Sequence, residues 1–295
     1  MEINALIAAF GGGLVGALIG GLPAFVMTGL IVIAGTVASL ANPAAGALIG
    51  NIAFGSFFGP HIAFAGGAAA TAYAARRGYI KEGASLDSVY GTGAPDALLV
   101  GGLFGIIGYL INFLWTGVLH FNTDTVALTV FFSGLIARLV FGKTGITGKF
   151  KGEGKRVWFS MGKGLLQNLA VGLGLGVIAG FTPSALAAAG VPQEWITGNF
   201  ATLCFGIAAF SLIFAAMGKA SPGFHHIILP AALAAVASGS PIFGILFGIL
   251  GSLLGDLVGN TINSHCDSHI DPPAVTIFTL TWIINCIWGA GFFVK

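Results

Sequence analysis

The chain has 295 residues, a net charge of +2, 56% hydrophobic and 7% charged residues, and a mean hydropathy of +0.95. Soluble domains carry roughly a quarter charged residues, so the composition excludes a water-soluble globular domain, and so small a net charge offers no footing for nucleic acid. Apolar runs of about 20 residues match helices that cross ~30 Å of hydrocarbon, and their lack of short alternating segments excludes a β-barrel.

Read in chain order, Met1-Glu2-Ile3-Asn4 lacks the basic start of a removable signal peptide and is expected to open the first membrane segment. That segment is long and is expected to break at Pro23; further segments follow at about 42–58 and 60–75, the latter short. Arg76, Arg77 and Lys81 end it, a surface loop runs from Glu82 to Asp96, and two full spans follow at 94–115 and 124–142. The stretch 143–163 is Gly-rich and carries Lys143, Lys149, Lys151, Lys155, Arg156 and Lys163, so it reads as a linker on the cytoplasmic side. Beyond it the order recurs: a long segment expected to break at Pro183, then 197–217, a short 223–238, and two spans.

The halves resemble each other in detail. Pro95 through Gly105 aligns with Pro241 through Gly251, with Pro, Gly and Gly at identical spacing. Asp124 through Gly142 aligns with Asp271 through Gly289, matching Asp, Ala, Thr, Phe, Ile and Gly. Gly59-Pro60-His61-Ile62 has a looser partner in Phe224-His225-His226-Ile227. The expectation is an all-α polytopic membrane protein of about 10 transmembrane helices (10 to 12 segments), divided into a first repeat at 1–142, the linker at 143–163 and a second repeat at 164–295. Inverted pseudo-symmetric repeats with broken or re-entrant helices are the expected plan, which puts the loop 263–271 on the linker's side and 116–123 opposite. Glycines three or four apart, such as Gly12, Gly16 and Gly20, suit close helix packing.

Several motifs fail on context. Ala137 through Thr144 satisfies a relaxed phosphate-loop pattern, but its middle ends an apolar helix instead of following a strand. The GxGxxG within Gly11–Gly16 likewise has no strand before it. No GxSxG elbow or HExxH is present, and Cys204, Cys266 and Cys286 form no CxxC pair, so neither hydrolysis nor a disulfide or iron–sulfur framework is supported. Uphill transport would therefore draw on an ion gradient or a separate energising subunit.

The polar residues concentrate between 256 and 271. Asp256, Asn260 and Asn263 fall at i, i+4 and i+7, on one helical face that runs from membrane depth to the loop, and an intramembrane acid usually marks an ion or substrate path. His265, Asp267 and His269 alternate, as metal ligands on an extended segment can; a bend and a further ligand would be needed for a divalent ion, and a solvated interfacial loop fits equally. Asp271 before Pro272-Pro273 reads as a helix cap and is discounted as a ligand, and Asp124-Thr125 repeats it. His61 and the pair His225-His226 begin the short segments, where helix N-termini would favour an anion or polar solute and a histidine could relay protons. Asn42, Asn51 and Asn112 add uncharged polar groups at membrane depth. Asn42-Pro43-Ala44-Ala45-Gly46 resembles the Asn-Pro-x-x-Gly of urea transporters over these five residues alone.

The first expectation is a gradient-driven transporter or permease in the cytoplasmic membrane of a prokaryote, not an enzyme, moving a small ion or polar solute between its repeats. Its path would use Asp256, Asn260, Asn263, His61, His226, Asn42 and Asn112, with protons or sodium as coupling ion. The alternatives are a urea-like channel for a small neutral solute and a membrane metalloenzyme using His265, Asp267 and His269. The implied partners are the lipid bilayer, the solute, and either a second copy of the chain or an energising subunit.

Overall fold

The computed structural model describes residues 3–292, and among these every regular element is helical. The first half holds α1 (Ile3–Ile19), α2 (Gly21–Ala38), α3 (Ala63–Arg77), α4 (Pro95–Phe113) and α5 (Thr125–Phe141). The second holds α6 (Lys163–Ala188), α7 (Gln193–Ser211), the one-turn α8 (Ile213–Ala216), α9 (His225–Ser238), α10 (Pro241–Val258) and α11 (Pro272–Gly289). Among the described residues six segments are long and apolar enough to cross a membrane: 21–38, 95–118, 163–188, 193–216, 241–263 and 272–289. The interior is apolar, and so is much of the outer surface. Leu99, Leu103 and Leu110 on α4, Leu246 and Leu250 on α10, and Leu173 and Val177 on α6 are exposed at helical spacing, a surface suited to lipid.

Each half packs by the same scheme. α1 lies along α4 and α6 along α10, forming two outer pairs. α3 is enclosed by α1, α2, α4 and α5, and α9 by α6, α7, α10 and α11. Across the middle, α2 packs on α7 and α5 on α11. Alanine and glycine make the enclosed helices possible: α3 buries Ala63, Ala65, Gly66, Gly67, Ala68, Ala69 and Ala70, small residues that let four neighbours approach its backbone. At roughly 22 and 21 Å from 15 and 14 residues, α3 and α9 are shorter than the hydrocarbon thickness, and their neighbours cover what length does not.

Both long lipid-facing helices end alike. α4 opens on Pro95 and α10 on Pro241, at the position where the missing N–H has no helical partner to lose. Each then widens into a π-helical turn, Leu114–Val118 after α4 and Gly259–Asn263 after α10. The chain turns back and starts α5 and α11 on aspartate caps: Asp124 Oδ1 accepts from the Ala127 amide at 2.8 Å, and Asp271 Oδ2 from the Ala274 amide at 2.8 Å.

Three sequence expectations are corrected. The first long segment breaks at Gly20 instead of Pro23: Gly20 has φ +97°, open to glycine, and a Cβ there would lie 2.9 Å from the Leu86 carbonyl, whereas Pro23 fits the first turn of α2. Pro183 does not break its segment at all and lies inside the continuous α6. Residues 42–58 form no span. They make a 3-10 turn at Pro43–Gly46, a π-helical turn at Ile49–Ala53 and irregular chain leading to α3.

The irregular segment after α5 and the loop before α11 occupy the same end of the molecule. Lys149 donates its amide to the His265 carbonyl at 2.9 Å, and Arg138, at the end of α5, reaches across to that loop. Its Nε donates to Ser268 Oγ at 2.9 Å, Nη1 to the carbonyls of Ile146 (2.8 Å) and Ile262, and Nη2 to the Ser268 carbonyl. Residues 122 and 123 lie elsewhere along α11: Asn285 Nδ2 donates to Asn122 Oδ1 at 3.1 Å, and Thr123 Oγ1 to the Phe278 carbonyl at 2.5 Å.

Candidate functional site

The two aspartate caps lead to the centre of the molecule. Asp124 and Asp271 both line one cavity of about 150 Å³, together with Phe25, Phe54, Phe64, Phe205, Thr202 and His225. Its walls come from α2, α3 and α5 of the first half and from α7, α9 and α11 of the second, so it sits on the seam between them. The cap and first turns of α5 give the lining Asp124, Ala127 and Val130, and those of α11 give Asp271, Ala274 and Ile277 at the same spacing.

The phenylalanines are joined ring to ring. Phe25 meets Phe64 at 5.7 Å and Phe205 at 5.6 Å, edge to face, and Phe205 meets Phe54 at 5.5 Å. Into this belt α9 inserts His225, 5% exposed, its ring 4.8 Å from that of Phe25 and 6.0 Å from that of Phe205. The Nδ1 of His225 is buried with no hydrogen-bond partner, which in a low-dielectric interior is costly unless something else supplies one. Asp271 has a second neighbour, since its Oδ1 lies 3.2 Å from His269 Nε2. The His269 ring in turn stands edge-on to Phe64 at 5.7 Å.

Two further cavities adjoin. One, about 190 Å³, shares Phe25, Phe64, His225 and Asp271 with the central cavity and continues to Leu86, Leu212 and Gly223, adding His269. The other, about 210 Å³, shares Phe54 and is lined by Ser56, His61, Tyr109, Asn112 and Thr116. The approach of α4 to His61 depends on Gly108, where a Cβ would fall 1.7 Å from the His61 carbonyl oxygen.

The sequence-derived site residues are distributed as follows. His61 and Asn112 share the 210 Å³ cavity, and His61 Nδ1 is buried without a partner. His226 stacks edge-on to His225 at 5.8 Å and fills the space beside Gly255, where a Cβ would meet its Nε2 at 2.4 Å. Asp256 faces the inter-half segment: its Oδ2 accepts from the Ser160 amide at 2.8 Å and its Oδ1 from Ser160 Oγ at 2.6 Å. The Asn260 backbone carbonyl accepts from Arg156 at 2.5 Å, and Asn263 Oδ1 from the Ile270 amide at 3.3 Å; none of the three stripe residues lines any of the three cavities. Asn42 caps the 3-10 turn, accepting from the Ala44 amide at 3.1 Å.

His265, Asp267 and His269 do not converge. His265 turns its ring to Phe150 at 5.0 Å, His269 turns to Asp271, and Asp267 accepts from the Lys143 amide and the Thr144 hydroxyl, both at 2.7 Å. Among the described residues no group of three or more His, Cys, Asp or Glu side chains could hold a metal ion. Burial pushes the Asp267 carboxyl upward, but the Thr144 hydroxyl and the Lys143 amide outweigh it and hold the group below the usual carboxylate range. Sequence reasoning read Asp124 and Asp271 as caps only, put His226 and not its neighbour His225 on the path, and passed over the four phenylalanines. The repeated Asp cap was visible, but a cap is a local pattern and carries no information about what the helix start faces.

The all-helical build, the apolar exposed surface and the six membrane-length helices define an integral membrane protein with a largely apolar cavity at its centre that two aspartates and a histidine also line. Within that class the chain belongs to a family of unknown function (DUF7973), whose model matches residues 1–163 and again residues 156–295. No curated protein and no solved structure matches it.

Proposed function

We propose that this protein is a membrane transporter that moves a small ion or small polar solute through the cavity between its two halves, driven by an ion gradient. The observation that carries the reading is the central cavity itself, where two carboxylates on helix starts and a buried histidine without a partner meet on the seam. Buried ionisable groups of this kind are costly in a membrane interior and usually mark ion or substrate paths. The flanking cavities support the reading further, because each shares a wall with the central one and they extend from it toward different loops.

In this proposal the halves are inverted repeats and about ten helices cross the membrane, with the inter-half segment in the cytoplasm of a prokaryotic cell. The matched packing of the halves, the paired Pro starts, π-turns and Asp caps, and the double match of one family model support it. So does the pairing of the segment after α5 with the loop before α11, as inverted repeats require. Solute would contact Asp124, Asp271 and His225 at the centre and pass His61 and Asn112 on one flank.

Purified protein in liposomes, screened for uptake of small cations, anions and neutral solutes under imposed proton or sodium gradients, tests the proposal. Uptake that responds to a gradient and is abolished by Asp271→Asn is expected. Downhill flux indifferent to any gradient would replace the carrier with a channel, and uptake unaffected by Asp271→Asn would overturn the assigned site.

A further inference from the structure

Resting on that reading, we infer that the central cavity takes a small protonated alkylamine, held between Asp124 and Asp271 with its hydrocarbon against the phenylalanine belt.

The charge balance comes first. Two carboxylates line the cavity, no Lys or Arg does among the described residues, and each helix start contributes only about half a positive charge. The site therefore favours a cation over an anion or a neutral solute. His225 Nδ1, buried and unpartnered at the cavity wall, adds a polar atom with which an ammonium N–H can pair.

The rest of the lining selects among cations. A hard inorganic ion needs about six or more oxygen ligands at roughly 2.0–2.6 Å, and among the described residues Thr202 alone adds a side-chain oxygen to those of the two aspartates. The remaining wall is carbon, dominated by Phe25, Phe54, Phe64 and Phe205. Aromatic walls attract an ammonium through the ring quadrupole and cover its alkyl groups at the same time. An alkylammonium is thus served by both kinds of wall, whereas a sodium ion would shed its hydration for too few oxygens.

Size sets the upper bound. A protein cavity of ~150 Å³ accepts benzene, which puts the occupant at about five to seven non-hydrogen atoms. The cavity here has about the same volume.

The test uses the full chain in lipid nanodiscs and isobutylammonium as probe, with isobutanol as its neutral isostere, isobutyrate as an anion of similar size, and sodium. Calorimetry at neutral pH is expected to detect isobutylammonium alone. Asp124→Asn and Asp271→Asn should each weaken it at least tenfold while keeping the thermal midpoint, because asparagine caps a helix as well as aspartate does. Phe25→Leu should weaken it several-fold; should an Asn variant fail to insert, Phe25→Leu and Thr202→Val make the same comparison. Equal binding of isobutanol or isobutyrate, or isobutylammonium binding unchanged in these variants, would overturn the assignment. Liposome flux separates this inference from the one beneath it. If no amine binds but another solute's gradient-driven uptake is blocked by Val130→Trp, the amine assignment falls and the transport reading stands. If isobutylammonium binds as expected and nothing is transported, the reverse holds.

Discussion

Asp124 and Asp271 cap helices 147 positions apart in the chain, yet their carboxylates line the same cavity. Each is engaged by an amide of its own helix, so the pair serves both as fold and as site. The two roles separate by substitution. Asp124→Ala should lower stability by about 1 kcal/mol, while Asp124→Asn should cost little. Thermal unfolding in detergent checks the first contrast; loss of solute uptake in both variants checks the second.

Arg138 is the largest fully buried side chain, and its guanidinium satisfies carbonyls from Ile146, Ile262 and Ser268. Arg138→Met would leave those acceptors without a donor. The expected loss is roughly 2–4 kcal/mol, since hydrogen bonds to charged groups contribute about 1.5–3 each and abandoned partners add their own desolvation. Chemical denaturation measures it, and faster proteolysis between 143 and 150 should accompany it.

Asp267 gives the same region a pH dependence. Its carboxyl is held below the ordinary value, so its stabilising contribution is complete above the unfolded pKa of about 4 and fades as pH falls through the lower folded value. Protease protection of residues 143–150 should therefore drop as pH is lowered from 5 toward 3. Asp267→Asn should show weaker protection at pH 7 and a flatter profile.

Gly108 allows α4 to touch the backbone at His61. Gly108→Ala forces the two apart and should cost about 1–3 kcal/mol or more, the usual range for overpacking a close contact. A lowered thermal midpoint is the direct readout, and a change in uptake would follow from displacing the wall that His61 and Asn112 form.

The shared end of the inter-half segment and the loop before α11 can be tested without any knowledge of solute. In a background lacking Cys204, Cys266 and Cys286, Thr147→Cys and Ser264→Cys should react with an impermeant thiol reagent from the same side of oriented vesicles. Asn122→Cys should react from the other. Labelling of Thr147→Cys and Ser264→Cys from opposite sides would refute the inverted arrangement.

How much of this was readable beforehand varies with the physics involved. Membrane character follows from composition, and the helices at 95–113 and 272–289 follow from apolar length bounded by Pro and Asp signals. Gly20 against Pro23 was not readable, because a proline is harmless in a first turn and a glycine's φ is invisible in sequence. Helical register put Asp256, Asn260 and Asn263 on one face, but periodicity does not name what a face meets, and the neighbour is Ser160 and the loop instead of a cavity. Phe25, Phe54, Phe64 and Phe205 are four of 25 phenylalanines, and nothing local distinguishes them from lipid-facing ones. Their belt exists only once α2, α3 and α7 are assembled.

The chain between the halves is anchored on both of its flanks, by Lys149 on His265 and by Ser160 on Asp256, and it is exposed from Lys151 through Lys155. A cut there would remove one peptide bond and none of those anchors, nor the packing of α2 on α7 and α5 on α11. The two halves should therefore copurify after nicking, and should assemble when expressed as separate polypeptides.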